Sequence, residues 1–108
     1  PAIELPQPEL QEYFKKGYGI FSGKKVTWAK LRFTPERARW VSTEQWHPEQ
    51  KSRFDKDGYY CLEVPYSDDR ELLMDILKHG TEVEVMAPKA LRGSVSKLLE
   101  STLAQYKT

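Results

Sequence analysis

The chain has a single cysteine, only two histidines, and no apolar run of the roughly 18 residues that a membrane-crossing helix needs. One thiol, Cys61, excludes an internal disulfide and any zinc site built from several cysteines. Its neighbours Tyr60 and Leu62 mark it as a small buried hydrophobe in preference to a reactive thiol. No signal peptide opens the sequence, and a cytoplasmic location is the expectation. With 17 Lys and Arg against 16 Asp and Glu, the formal charge is +1, which lacks the global basic excess that drives duplex binding.

Signatures of catalysis are also missing. There is no Walker loop, nucleophile elbow or His-Glu zinc pattern. Gly17-Tyr18-Gly19 has neither the spacing nor the preceding strand of a phosphate loop, and Asp55-Lys56-Asp57-Gly58 starts like a calcium loop without its downstream ligands. The carboxylates have structural explanations: Asp55 and Asp57 in a turn, Asp68 and Asp69 at a helix start, Glu82 and Glu84 on a solvent face. None stands as an isolated pair in apolar surroundings, as a tuned acid and base would. No enzyme, no cofactor and no metal are expected.

What is present organises around Trp46–Val64, where Asp57-Gly58 separates two extended runs. Gly tolerates positive φ, so this pair is a strong hairpin signal. Before the hairpin, Lys25–Phe33 alternates as a strand, with Thr27, Ala29, Leu31 and Phe33 on one face and Val26, Trp28, Lys30 and Arg32 on the other. Thr34-Pro35-Glu36 is a helix start, with Thr34 as N-cap, and the helix is expected to run to about Thr43 with Ala38 and Val41 inward. After the hairpin, Ser67 is expected to cap a second helix with the apolar stripe Leu72, Leu73, Ile76 and Leu77, ended by Gly80. Thr81–Met86 alternates as a strand. Pro88 opens a last helix in which Leu91, Val95, Leu98, Leu99, Leu103 and Tyr106 repeat at helical spacing.

The order β-α-β-β-α-β predicts an α+β, ferredoxin-like fold: a four-stranded antiparallel sheet with both helices on one face, plus a C-terminal helix. At 108 residues one domain is expected. It is placed at 24–108, with 1–23 as a linker and N-terminal segment packing on it. Glu9–Lys16 in that segment is a short helical candidate. The three prolines among the first eight residues, behind a first residue that is not Met, point to a piece cut from a longer protein.

The positive functional signal is cationic and aromatic. Trp28, Lys30, Arg32, Arg37, Arg39, Trp40, Trp46, His47, Lys51, Arg53 and Phe54 crowd the first half of the chain. Aromatic platforms beside Arg and Lys suit stacking on bases while pairing phosphates. The competing reading is that the tryptophans pack the core and the cations are solvated. His79 ends a helix, where a cation is favoured as a cap. His47, in a loop beside Trp46, is either a ligand contact or the maker of a structural hydrogen bond.

Several motifs together resemble a known family. They are Val26-x-Trp28-x-x-Leu31-Arg32-Phe33, Ala38-x-x-Val41, Trp46-His47-Pro48-x-Gln50, Asp57-Gly58, Glu71-Leu72-x-x-x-Ile76-Leu77-x-x-Gly80 and Val85-x-Ala87-Pro88-x-x-Leu91-Arg92. The set is similar to the C-terminal extension, called WCX, of WYL-domain transcriptional regulators, over roughly residues 14–106. The resemblance implies a ferredoxin-like fold in a bacterial regulator whose winged helix-turn-helix and WYL domains lie upstream. It implies a part in dimerisation and in sensing an effector, single-stranded DNA or another anion, with Arg32, His47, Gln50 and Arg53 as the candidate effector-binding residues. The residues that give the WYL module its name have no counterpart here. The alternative is a purely structural dimerisation domain with no ligand site of its own.

Overall fold

The computed structural model describes residues 26–107. The expected helix at 9–16, the packing of the N-terminal segment and the first two residues of the 24–108 domain lie outside the described residues. Within them run β1 (Thr27–Phe33), α1 (Pro35–Val41), β2 (Lys51–Phe54), β3 (Tyr60–Tyr66), α2 (Arg70–Leu77), a 3-10 turn (Gly80–Glu82), β4 (Val83–Ala87) and α3 (Lys89–Ala104). The strands lie in the order β2-β3-β1-β4, every neighbouring pair antiparallel. This is the ferredoxin-like arrangement that the element order predicts.

Alternation along the strands decides the two faces. Ala29, Leu31 and Phe33 of β1 bury against Tyr60, Leu62, Val64 and Tyr66 of β3 and Val85 of β4. Ala38 and Val41 of α1, Leu72 and Ile76 of α2 and Leu91 of α3 close the same core. Each fully buried aliphatic side chain there contributes about 1.5–3 kcal/mol over leaving it in water. The hairpin loop is Lys56–Gly58: Asp55 N–H donates to the Tyr59 carbonyl at 2.9 Å, and Gly58 takes φ +88°. A left-handed last residue is what a three-residue hairpin loop requires.

Thr34 caps α1, its hydroxyl oxygen accepting from Arg37 N–H at 3.3 Å, and the same hydroxyl donates to Glu82. Three local expectations need correction. Helix α1 ends at Val41, two residues early, where Ser42 caps it and Thr43 and Glu44 turn back on the carbonyls of Trp40 and Val41. Ser67 is not the cap residue of α2; the helix starts at Arg70 with Asp69 at the cap position, and the Arg70 N–H is taken by Asp68 Oδ1 at 3.0 Å. The last strand starts at Val83, because Gly80 at φ +58° turns the chain into the 3-10 segment that holds Thr81 and Glu82.

Candidate functional site

The face of the sheet opposite the core carries the cations. Register fixes it: Arg32 of β1 stands across from Cys61 of β3, which stands across from Arg53 of β2, and Lys30, Glu63 and Lys51 form the next row. Arg32 and Glu84 face each other on the β4 side. Residues directly opposite share a face, so these rows lie together. The helical core residues all belong to the other face, and at the β4 edge Arg92 of the last helix reaches Glu84 at 2.9 Å.

A depression of about 300 Å³ opens at the centre of this face. Lys30, Arg32, Arg53, Cys61, Glu63 and Met86 are among the residues that line it. Arg32 Nη2 donates to Asp55 Oδ2 at 3.1 Å, and its guanidinium lies 3.8 Å from the centre of the Tyr59 ring. The Asp55 hydrogen bond raises the Arg32 pKa further. For Asp55, partial burial works to raise the pKa, but the N–H groups of Tyr59 and Asp57 and the Arg32 guanidinium outweigh it and hold the carboxyl below its usual value. Arg53 makes no ion pair among the described residues. Beside the depression, Lys51 Nζ sits 5.0 Å over the Trp28 ring. The face thus offers a half-buried indole, a restrained arginine and exposed cations within one sheet surface.

Of the four candidate residues, the fold brings Arg32 and Arg53 together and sets His47 and Gln50 apart. His47 is 2% exposed, in the loop between α1 and β2, and its Nδ1 accepts from Glu49 N–H at 2.9 Å. Burial lowers its pKa. Gln50 Oε1 accepts from the N–H groups of Trp46 (2.6 Å) and His47 (3.2 Å), and its Nε2 donates to the Glu44 carbonyl at 3.3 Å. The Trp-His-Pro-x-Gln stretch is therefore an internally bonded loop. Its last residue, Gln50, delivers the chain into β2 and so sets where Lys51 and Arg53 begin.

The tryptophans divide three ways. Trp28 is on the cationic face. Trp40 is exposed on α1 beside Arg37 and Arg39, whose guanidinium carbons lie 5.7 and 5.8 Å from its ring centre. Trp46 seals the core rim, edge-on to Phe33 at 5.7 Å and stacked on His79 at 5.9 Å. His79 is not a cationic cap. It is 6% exposed between Phe33 and Trp46, neither ring nitrogen finds a hydrogen bond among the described residues, and burial, then Arg37 and Lys78, lower its pKa. Asp55 and Tyr59 were missed as site residues. The Asp55 side chain both ties the turn and holds Arg32, a double role that a turn signal hides.

Among the described residues no group of three or more His, Cys, Asp and Glu side chains is placed to hold a metal ion. No described helix is long and apolar enough to cross a membrane.

Comparison with known proteins gives two findings. A family model described as the WCX domain matches residues 25–103. Among solved structures, proteasome accessory factor B/C (PafBC) of Arthrobacter aurescens superposes with a TM-score of 0.64 at 23% identity, over 80% of this chain and 13% of that one. At that identity the likeness speaks for the fold, and this chain corresponds to a small part of that protein's length. No curated protein matches.

Proposed function

The chain belongs to the WCX domain family, and from that premise we propose that it is a non-enzymatic regulatory module of a WYL-type transcriptional regulator, contributing to effector sensing and to dimerisation. The observation that carries the reading is the sheet face opposite the core, where Lys30, Arg32 and Arg53 line one depression and Lys51 lies over the Trp28 ring beside it. The chemistry suits an anionic ligand with planar rings, and single-stranded nucleic acid is the class that offers both. A base stacks on Trp28 while Arg53 and Lys30 neutralise phosphates. Arg32, restrained by Asp55 and Tyr59, presents its remaining N–H groups in a fixed direction. His47 and Gln50 contribute at one remove, by fixing the loop from which β2 starts. Ligand on this face biases the arrangement of subunits, and with it the spacing of DNA-reading domains elsewhere in the regulator.

The test is tryptophan fluorescence of the chain titrated with short single-stranded DNA at two salt concentrations. Saturable quenching that weakens at higher salt, and that disappears in Trp28→Phe, is expected. Unchanged affinity in both Arg32→Ala and Arg53→Ala would remove those residues from the site. The second reading, an assembly domain without a ligand site, has one observation in its favour: the apolar side chains that α3 leaves exposed. Self-association with no response to DNA would support it.

A further inference from the structure

The cationic face holds a carboxylate at its centre. Glu63 of β3 stands directly across from Lys30 of β1 on one side and Lys51 of β2 on the other. Arg32 and Arg53 occupy the next row, with Cys61 between them, and so lie diagonal to Glu63 at about 7–8 Å. Glu63 is half-buried and lines the depression. Among the described residues no hydrogen bond or ion pair reaches its carboxylate, although four cations surround it. Asp55, the other acid lining the depression, already accepts from Arg32 and from the N–H groups of Asp57 and Tyr59. Glu63 is therefore the lining carboxylate left open to a ligand, with two oxygens able to take a parallel pair of hydrogen bonds.

That carboxylate selects among anions. It costs a polyanionic ligand affinity unless the ligand brings a donor to it. The depression, at about 300 Å³, is at the small end of ligand pockets and takes one planar ring at a time. Of the four DNA bases only guanine carries two adjacent N–H donors on one edge, the ring N1–H and the amino N2–H. These match both oxygens of one carboxylate. Adenine and cytosine set a ring-nitrogen lone pair beside their amino group, and thymine flanks its N–H with two carbonyls, so each turns an acceptor toward the carboxylate. Trp28 lies two positions before Lys30 on the same face of β1, so a base stacked on it leaves its neighbour over Glu63.

We propose that Glu63 is a specificity-determining residue of the effector site, pairing both carboxylate oxygens with the Watson–Crick edge of an unpaired guanine while the surrounding cations hold the phosphates. This deepens the proposed function and rests on its nucleic-acid reading.

The experiment titrates the 108-residue chain with short thymidine oligonucleotides carrying one central guanosine, adenosine, cytidine or deoxyinosine, read as dissociation constants from tryptophan fluorescence. The guanosine oligonucleotide should bind at least about fivefold tighter than the all-thymidine one. Deoxyinosine, which keeps N1–H and lacks the amino group, should lose most of that advantage. Glu63→Gln, of the same size and checked for folding by circular dichroism, should bind all of them alike. A uniform tightening in Glu63→Gln with the guanosine preference unchanged would make Glu63 only a charge in the local field and overturn the proposal. Equal binding of all the oligonucleotides by the unmodified chain needs no variant to fold; it would overturn the proposal and leave the ligand site standing. Binding of none of them would overturn the nucleic-acid reading, and this inference with it.

Discussion

Gln50 holds three backbone groups of its loop with one amide. Gln50→Ala removes the acceptor shared by the Trp46 and His47 N–H groups and should cost about 1–3 kcal/mol in urea unfolding. Arg53 belongs to a different class of residue: exposed and without an ion pair among the described residues, it contributes to stability negligibly but to the local potential directly. Arg53→Ala should reduce the slope of log K for single-stranded DNA against log salt by about 0.7, with the unfolding midpoint unchanged. Arg32 lies between the two, since removing it also strips Asp55 of one donor. The sequence showed all three as polar residues near an aromatic. Only their neighbours, a loop backbone for Gln50 and open solvent for Arg53, separate the structural role from the binding one.

At the level of elements, the β2–β3 hairpin positions the site, because its register places Arg53, Cys61 and Arg32 in one row. Gly58 at φ +88° anchors that register. A Cβ at this position would meet Pro35 at 3.6 Å, an ordinary contact, so the penalty of Gly58→Ala is backbone strain alone. It should lower stability by about 1–2 kcal/mol by urea titration, with no loss of the sheet signature in circular dichroism. This element was legible in advance because Asp-Gly and period-two alternation are local signals. The start of α2 was not: Ser67 and Asp68 are both good cap residues, and which of them reaches the first free N–H depends on how the chain leaves β3. The start of β4 was misjudged for a similar reason, since Thr81 and Glu82 continue the alternating pattern yet follow a glycine in the left-handed region.

At the scale of the whole molecule, two buried histidines link stability to pH. His79 faces Phe33 and Trp46, with Arg37 and Lys78 lowering its pKa and Glu44 and Asp75 opposing them weakly; His47 is lowered by burial against Glu49. The unfolded chain takes up these protons more readily than the folded one, so acid favours unfolding. Stability should be constant above the unfolded histidine pKa of about 6.5 and fall as the pH drops below it. His79→Phe should flatten that fall in urea titrations between pH 7.5 and 5, and His47 should account for what remains.

The sequence by itself determined the strand and helix order, the apolar side of each element and hence the four-stranded sheet with helices on one face. Periodicity and turn chemistry act over a few residues, so they survive without knowledge of the rest of the chain. Tertiary structure alone decided the fates of the three tryptophans, the inward turn of His47 and Gln50, the burial of His79 where a helix end promised a cation, and the bare ridge of α3. Each of these depends on what a distant segment covers or leaves open, and an apolar helical stripe reads the same in sequence whether a core lies against it or solvent does.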